Sequence, residues 1–316
     1  MTVDTAQQSV SRLLEQDKVD VIVGNVFSNQ LLAYAPRVSA ANVLVLSAVA
    51  GPSEIAGKSC DPNVFVYSWE NNTPSEAVGE QMTQAGSRKA FFIAQNYVTG
   101  KEHVAGAKYY YKGEPVGDAY VPFSQVDFGS ELASIRASGA DSVYVFLPGA
   151  AGIAFIKQFE ASGLKGKVQL YGGSWLADEH SFGALGPAAL GTNIAANWFA
   201  SLGNPANKAF VEMFRKQNNR NPVFYGAFAY DSVIALDAAV KAAGGIANKE
   251  AVRKELEKAQ FASVRGAFKF NVNHMPIQNF YAGKVVNKDG VMMHEAGATI
   301  FKDHKDRFYQ ECKMKS

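Results

Sequence analysis

The side chains of this 316-residue chain that could do chemistry are few and scattered. Five histidines, at 103, 180, 274, 294 and 304, form neither H-E-x-x-H nor any other paired ligand spacing. Each reads as a surface or internally satisfied histidine. Ser174, in G-G-S-W-L, approaches a nucleophile elbow, but the glycine required two residues later is Leu176, and the sharp turn would be strained without it. Asp127-Phe128-Gly129 imitates a kinase signature without the glycine-rich and H-R-D loops that give it meaning, so Asp127 reads as a helix cap. The glycines between Gly183 and Gly191 match neither a phosphate loop nor a dinucleotide fingerprint. Cys60 and Cys312 are too few for structural zinc and lack C-x-x-C spacing. One disulfide in an oxidising compartment or two free thiols both fit. No catalytic residue, metal site or cofactor is expected.

What recurs instead is hydroxyls, bare backbone and aromatic rings, each set where a strand should end: Phe27 and Ser28, Ala50 and Gly51, Tyr97 and Thr99, Gly149 and Ala150, Ser174 and Trp175, with Tyr225 further on. Such groups hold a small molecule through N–H and O–H donors while ring faces exclude water. The chemistry this predicts is capture.

The elements that must position these residues follow from periodicity. Val19 to Val23 is a short β-branched run ended by Gly24, read as a strand buried on both faces of a parallel sheet. Asp141 to Gly149 echoes it. An amphipathic helix precedes each copy, and a helix and further strand follow, at Asn42–Ser47 and Lys167–Gly172. In open α/β sheets ligands collect beyond the carboxyl ends of the strands, where helix N-termini present free N–H groups. Asp4 or Thr5 is expected to cap the first helix, and a hairpin is expected around Asn287 to Gly290. The length suits two domains, and 47% hydrophobic with 19% charged residues supports a core in each. A net charge of +2 without a dense basic cluster argues against nucleic acid as a partner. No apolar run is long enough to span a membrane, and Met1 to Gln8 has no signal-peptide pattern.

Several segments together carry a resemblance: E15-Q-D-K-V-D-V-I-V-G-x-x-x-S, L-S-A-x-A-G, N-Y-x-x-G, D-F-x-x-x-L-x-x-I-R-A-S-G-A-D-S-V, K-Q-F-E-A-S-G-L and the Y-D-S-V helix. In this order, over essentially the whole chain, they resemble type I periplasmic binding proteins, in particular the solute receptors of branched-chain amino-acid-type ABC importers and the branch that binds aromatic carboxylates. The resemblance implies an α/β fold of two Rossmann-like lobes with a hinge. Lobe 1 would comprise 1–69 and 198–281, and lobe 2 would comprise 70–197 and 282–316. It also implies a strand, helix and strand before residue 1, preceded by a signal peptide. By the same analogy Ser28 meets a ligand carboxylate beside backbone donors at Ala50 and Gly51, Tyr97 and Thr99 cover the ligand, and Gly149 and Ala150 face it from the second lobe. Ser174 stands where amino-acid binders place an acid for the ligand ammonium. A buried ammonium without that partner is costly, so discrimination against amino acids follows. Trp175 and Tyr97 offer flat faces to a ring. The expected protein is a periplasmic monomer that passes a small aromatic carboxylate to an ABC permease. The rival readings are the same fold taking a branched-chain amino acid or amide, an α/β hydrolase using Ser174, and a sensory domain.

Overall fold

Two sheets organise the chain in the computed structural model, which describes residues 2–314. The small sheet and its cover begin with α1 (Val3–Glu15), β1 (Val21–Gly24), α2 (Ser28–Ala40), β2 (Leu44–Ser47), α3 (Ser53–Ala56) and β3 (Val64–Val66). The large one is built from α4 (Thr73–Gln84), β4 (Lys89–Gln95), α5 (Val98–Tyr110), β5 (Glu114–Val121), α6 (Gly129–Ala137), β6 (Ser142–Phe146), α7 (Ala150–Ala161), β7 (Gln169–Gly172), α8 (Phe182–Leu185) and β8 (Asn193–Ala196). The chain continues through α9 (Pro205–Asn218), α10 (Phe224–Ala242), α11 (Lys249–Glu257), β9 (Lys269–Phe270), β10 (Pro276–Lys288) and β11 (Val291–His304).

The small sheet is parallel, in the order β1-β2-β3. Its middle strand shows how alternation builds two cores. Val45 packs with Leu31, Val38 and Val64 on the face covered by α1 and α2, whereas Leu44 and Leu46 join Ala235, Ala239, Val252 and Leu256 of α10 and α11 on the other. β1 departs from the sequence reading: it starts at Val21, pairs only with β2, and leaves Val23 40% exposed. An edge strand of a three-stranded sheet lacks the second neighbour and the full covering layer that burial on both faces requires. The first helix is capped by Thr2, which accepts from the Thr5 N–H, and not by Asp4 or Thr5, because the helix begins at Val3.

The large sheet runs β11-β10-β8-β7-β6-β4-β5, with β4 to β8 parallel and β10 and β11 antiparallel at one side. Its parallel part is a doubly wound unit in which β4, the first strand, lies between β5 and β6. The chain therefore leaves β4 toward one side and β6 toward the other, which opens a crevice between the two loops. β10 passes between the sheets: Pro276 and Ile277 pair with β9, and Tyr281 to Lys284 pair with β8. The hairpin turns between Lys288 and Val291, where the Asn287 side chain accepts from the Gly290 N–H.

The C-terminal turn at Phe308–Glu311 does not stay with residues 282–304. Phe308 packs on the core of α1, α2 and β2, and a Cys60–Cys312 disulfide fastens the segment beside α3. The covalent link outweighs chain proximity in placing it.

Candidate functional site

A cavity of about 260 Å³ opens where the two sheets' strand ends face each other. The small-sheet lobe contributes Val26, Phe27 and Val49; the large-sheet lobe contributes the loops after β4 and β6, with Gln95, Tyr97 and Thr99 on one and Pro148 and Gly149 on the other. Those two loops are the switch point of the doubly wound sheet. Four helices begin at this cavity, namely α2 after Phe27, α5 after Tyr97, α7 after Gly149 and α10 at Phe224, and none has a side-chain cap. Their first N–H groups lack helical acceptors and carry the positive end of the helix dipole, so the cavity favours an anion without a cationic side chain. Gly149 supports this directly: its φ of +68° and ψ of −138° form a conformation open to glycine alone, and it turns β6 into α7.

Aromatic rings form the walls. Tyr97 lies 4.7 Å from Phe123, which meets Phe27 of the other lobe edge-on at 6.4 Å. Deeper in, Trp175 stands 5.0 Å from Phe146 and 6.1 Å from Trp69, and Trp69 stands 5.5 Å from Phe224. The Trp175 indole N–H donates to the Val145 carbonyl at 3.1 Å, which fixes its plane. Burial pushes the Tyr97 phenol up to about 12, so it is a neutral wall.

The polar groups are held in chains. Asn71 Nδ2 donates to Ser28 Oγ at 2.9 Å and to Glu102 Oε2 at 2.6 Å, while Glu102 Oε1 accepts from the Ser53 N–H at 3.0 Å and from its hydroxyl. With a lone pair of Ser28 occupied by Asn71, the serine proton remains free to be donated. His103 is fully buried, stacked at 4.0 Å on Phe146, and burial holds its imidazole neutral by moving its pKa well below the usual value. Its Nδ1 is 2.6 Å from Ser75 Oγ, which is 2.6 Å from the Tyr144 hydroxyl. If Nδ1 carried the proton, three donors would share two bonds and one buried O–H would be stranded, at a cost of about 1–3 kcal/mol. The arrangement that strands no hydroxyl has Tyr144 donating to Ser75, Ser75 donating to Nδ1, and the histidine proton on Nε2, which faces the cavity.

Of the residues singled out from sequence, Phe27, Tyr97, Thr99, Gly149, Trp175 and Tyr225 meet at the cavity, and Ser28 reaches it through Asn71. Ala50 and Gly51 lie behind Val49. The Ala50 N–H is spent on the Asn25 carbonyl at 3.3 Å, and Gly51 packs so closely under Trp69 that a Cβ would sit 1.8 Å from the Trp69 carbonyl oxygen. Ala150 is exposed on the first turn of α7. Ser174 is displaced into a separate narrow crevice with Asp178, Glu179 and His294, because the chain turns after Gly173 to bring Trp175, not Ser174, to the cavity side. It makes no hydrogen bond to a histidine among the described residues, and His294 Nε2 donates to the Ala177 carbonyl at 2.6 Å. A nucleophile–base pair is thus not assembled. Asn71, Gln95 and His103 carry no sequence signal that marks them as lining a site. Only their position one loop or one helical turn from Thr99 or Trp69 could have suggested them.

Fold and site define a two-lobed solute receptor. The chain belongs to the periplasmic binding protein family, whose model matches residues 1–290. Among its relatives, the Leu/Ile/Val-binding protein homolog 6 of Brucella melitensis is 28% identical over 299 residues, covering 90% of this chain and 75% of the relative. Among solved structures, an ABC transporter solute-binding protein of R. palustris in complex with benzoate is 31% identical, with a TM-score of 0.92 over 99% of this chain and 86% of that one. A solute-binding protein of Rhodopseudomonas palustris BisB5 in complex with 3,4-dihydroxybenzoic acid is 28% identical, with a TM-score of 0.87 over 97% and 85%. The protein is accordingly a non-enzymatic solute-binding protein of the ABC transporter type, a class that binds small molecules and delivers them to permease subunits. No helix among the described residues is long and apolar enough to cross a membrane.

Proposed function

We propose that this protein is a periplasmic, monomeric receptor for a small aromatic carboxylate, which it encloses between lobes comprising roughly 1–69 with 198–281 and 70–197 with 282–304 and hands to its permease. The observation that carries this reading is the lining of the cavity: four uncapped helix N-termini and aromatic walls, with no Asp, Glu, Lys or Arg among the lining residues. A carboxylate is met by N–H and hydroxyl donors, a ring by Tyr97 and Trp175, and an ammonium by no counter-charge. The benzoate and dihydroxybenzoate complexes of the two structural relatives support the same ligand class.

Phenylalanine is the discriminating probe, since it carries a ring and a carboxylate like the proposed ligand and adds an ammonium on a saturated two-carbon link. Calorimetry with benzoate, cinnamate, phenylalanine and leucine is expected to show binding of the aromatic acids and at least about a hundredfold weaker binding of both amino acids, the scale of one unpaired buried charge. Leucine binding more tightly than either acid would replace this reading with that of a branched-chain amino-acid receptor.

A further inference from the structure

Three polar side chains on one wall of the cavity are not accounted for by carboxylate capture. Gln95 ends β4, and Thr99 and His103 follow at i and i+4 on one face of α5, so all three come to the same wall. They are 3%, 8% and 1% exposed. Gln95 Oε1 has no hydrogen-bond partner among the described residues, Thr99 Oγ1 has at most the Tyr97 phenol beside it, and His103 offers a proton on Nε2 once Ser75, itself bonded by Tyr144, has claimed Nδ1. Buried polar groups are ordinarily paired, and a cluster left open beside a cavity is short of a partner that the chain does not supply.

We propose that Gln95, Thr99 and His103 form a hydroxyl-recognition subsite, so that the ligand is an aromatic acid bearing a phenolic hydroxyl. This rests on the aromatic-carboxylate reading above. A hydroxyl both donates and accepts, which is what the wall requires: it accepts from His103 Nε2–H and donates to Gln95 Oε1 or Thr99 Oγ1. Either orientation of the Gln95 carboxamide presents a group that a hydroxyl satisfies. A carboxylate, which only accepts, would leave the acceptor atoms unpaired. An unsubstituted ring would cover all three groups with C–H edges.

The test is calorimetry on the full chain with benzoate, 3-hydroxybenzoate, 4-hydroxybenzoate and the cinnamate/4-hydroxycinnamate pair, on wild type, Thr99→Val, Gln95→Met and His103→Phe. At least one hydroxylated acid is expected to bind about tenfold or more tightly than its parent, the affinity lost when one buried hydrogen bond goes unmade. Each variant is expected to bring that ratio toward one while still binding the parent acid. The ratio is read on a single protein preparation, so a general loss of stability cancels, and the isosteric Thr99→Val keeps the test open if His103→Phe does not fold. Parent and hydroxylated acids bound equally by wild type would overturn the subsite while leaving the aromatic-acid reading in place. Variants that weaken both to the same degree would place the carboxylate on this wall and overturn it too. No binding of any aromatic acid would remove both.

Discussion

The backbone carbonyl of Ser68 accepts a hydrogen bond from the side-chain amide of Asn197 at 2.9 Å. Gln278 Nε2 donates to the same oxygen at 2.9 Å and Arg265 Nη1 at 3.3 Å, and the Gln278 carbonyl oxygen accepts from both Asn197 and Arg265. Ser68 lies between β3 and α4, Asn197 between β8 and α9, and Gln278 in β10, so one buried knot ties together three passages of chain between the lobes. Arg265 is in turn held by Asp231 Oδ2 at 3.1 Å. A lobe closure that pivots here can twist the backbone at each passage while these bonds keep the passages together.

Asn197→Leu and Gln278→Leu are therefore expected to destabilise the protein by about 1–3 kcal/mol each, the cost of stranding buried partners. Because each loss leaves the other's partners already unsatisfied, the double variant should fall short of the sum by at least about 0.5 kcal/mol. Urea unfolding of the four proteins measures this. Strict additivity would show that the residues act independently and that there is no knot.

The Cys60–Cys312 bond links positions 252 residues apart and pins the C-terminal turn beside α3. Closing so long a loop restricts the unfolded chain, and loss of the bond is expected to cost about 2–5 kcal/mol. Thermal melts of wild type with and without reductant, and of Cys60→Ser, check it. Reduced wild type and Cys60→Ser should melt together, well below the oxidised protein. Equal melting temperatures with and without reductant would mean that the bond adds nothing to stability.

Much of the architecture is legible in the sequence because it is local. The apolar runs at Ser142 and Gln169 sit where short buried strands need them, the run at Val21 forms a strand though not a buried one, and Asn204 before Pro205 announces a helix that it caps. The ring and hydroxyl positions Phe27, Tyr97, Thr99 and Trp175 follow from strands ending just before them. What is not local is not legible. Asn197, Gln278 and Arg265 are ordinary polar residues in sequence, and their value lies in meeting Ser68 across 129, 210 and 197 positions. His103 reads as a surface or internally satisfied histidine, and the second is half true: Nδ1 is satisfied by Ser75, and only the fold shows that the ring also lines a cavity. Ser174 misleads for the opposite reason, since in a G-G-S-W turn one residue of phase decides which side chain faces the cavity.

Acid should remove the stability that the buried histidines contribute. Burial pushes His294 down to about 4 and moves His103 in the same direction, whereas an unfolded histidine takes its proton near 6.5. The stability they contribute is therefore complete above pH about 6.5 and declines as pH falls toward their folded values, by up to about 1.4 kcal/mol per pH unit per histidine. Glu70, which burial keeps protonated well above the usual carboxylate range, works oppositely and loses stability as pH rises above its unfolded value. Burial raises Asp178, Glu179 and Asp306 as well, and they act in the same sense as Glu70, so the histidine contribution is read from a histidine variant and not from the net slope. In His294→Asn one of these titrations is gone. The gap in unfolding free energy between wild type and variant should narrow by about 1.4 kcal/mol per unit as pH falls below 6.5. A gap that stays constant from pH 7 to pH 5 would clear His294 of any part in the acid response.

Ser28, Asn71 and Glu102 form a chain from the cavity to the opposite lobe, because Asn71 divides its two amide protons between the serine and the glutamate, and the glutamate also holds Ser53 of α3. On the proposed reading Ser28→Ala removes a donor to the ligand carboxylate, and it is expected to weaken benzoate binding by about 1.5–3 kcal/mol, the range for hydrogen bonds to charged groups. Glu102→Gln replaces one acceptor oxygen with a donor that confronts either Asn71 or Ser53. Asn71 then loses its orientation, and the predicted loss is smaller, about 1 kcal/mol. Since Glu102 acts on the ligand through Asn71 and Ser28, its effect should largely vanish in the Ser28→Ala background, a coupling of at least about 0.5 kcal/mol in a double-mutant cycle by calorimetry. Full additivity would mean that Glu102 influences binding by holding the lobes together through Ser53, and the cycle separates that latch from the orienting role.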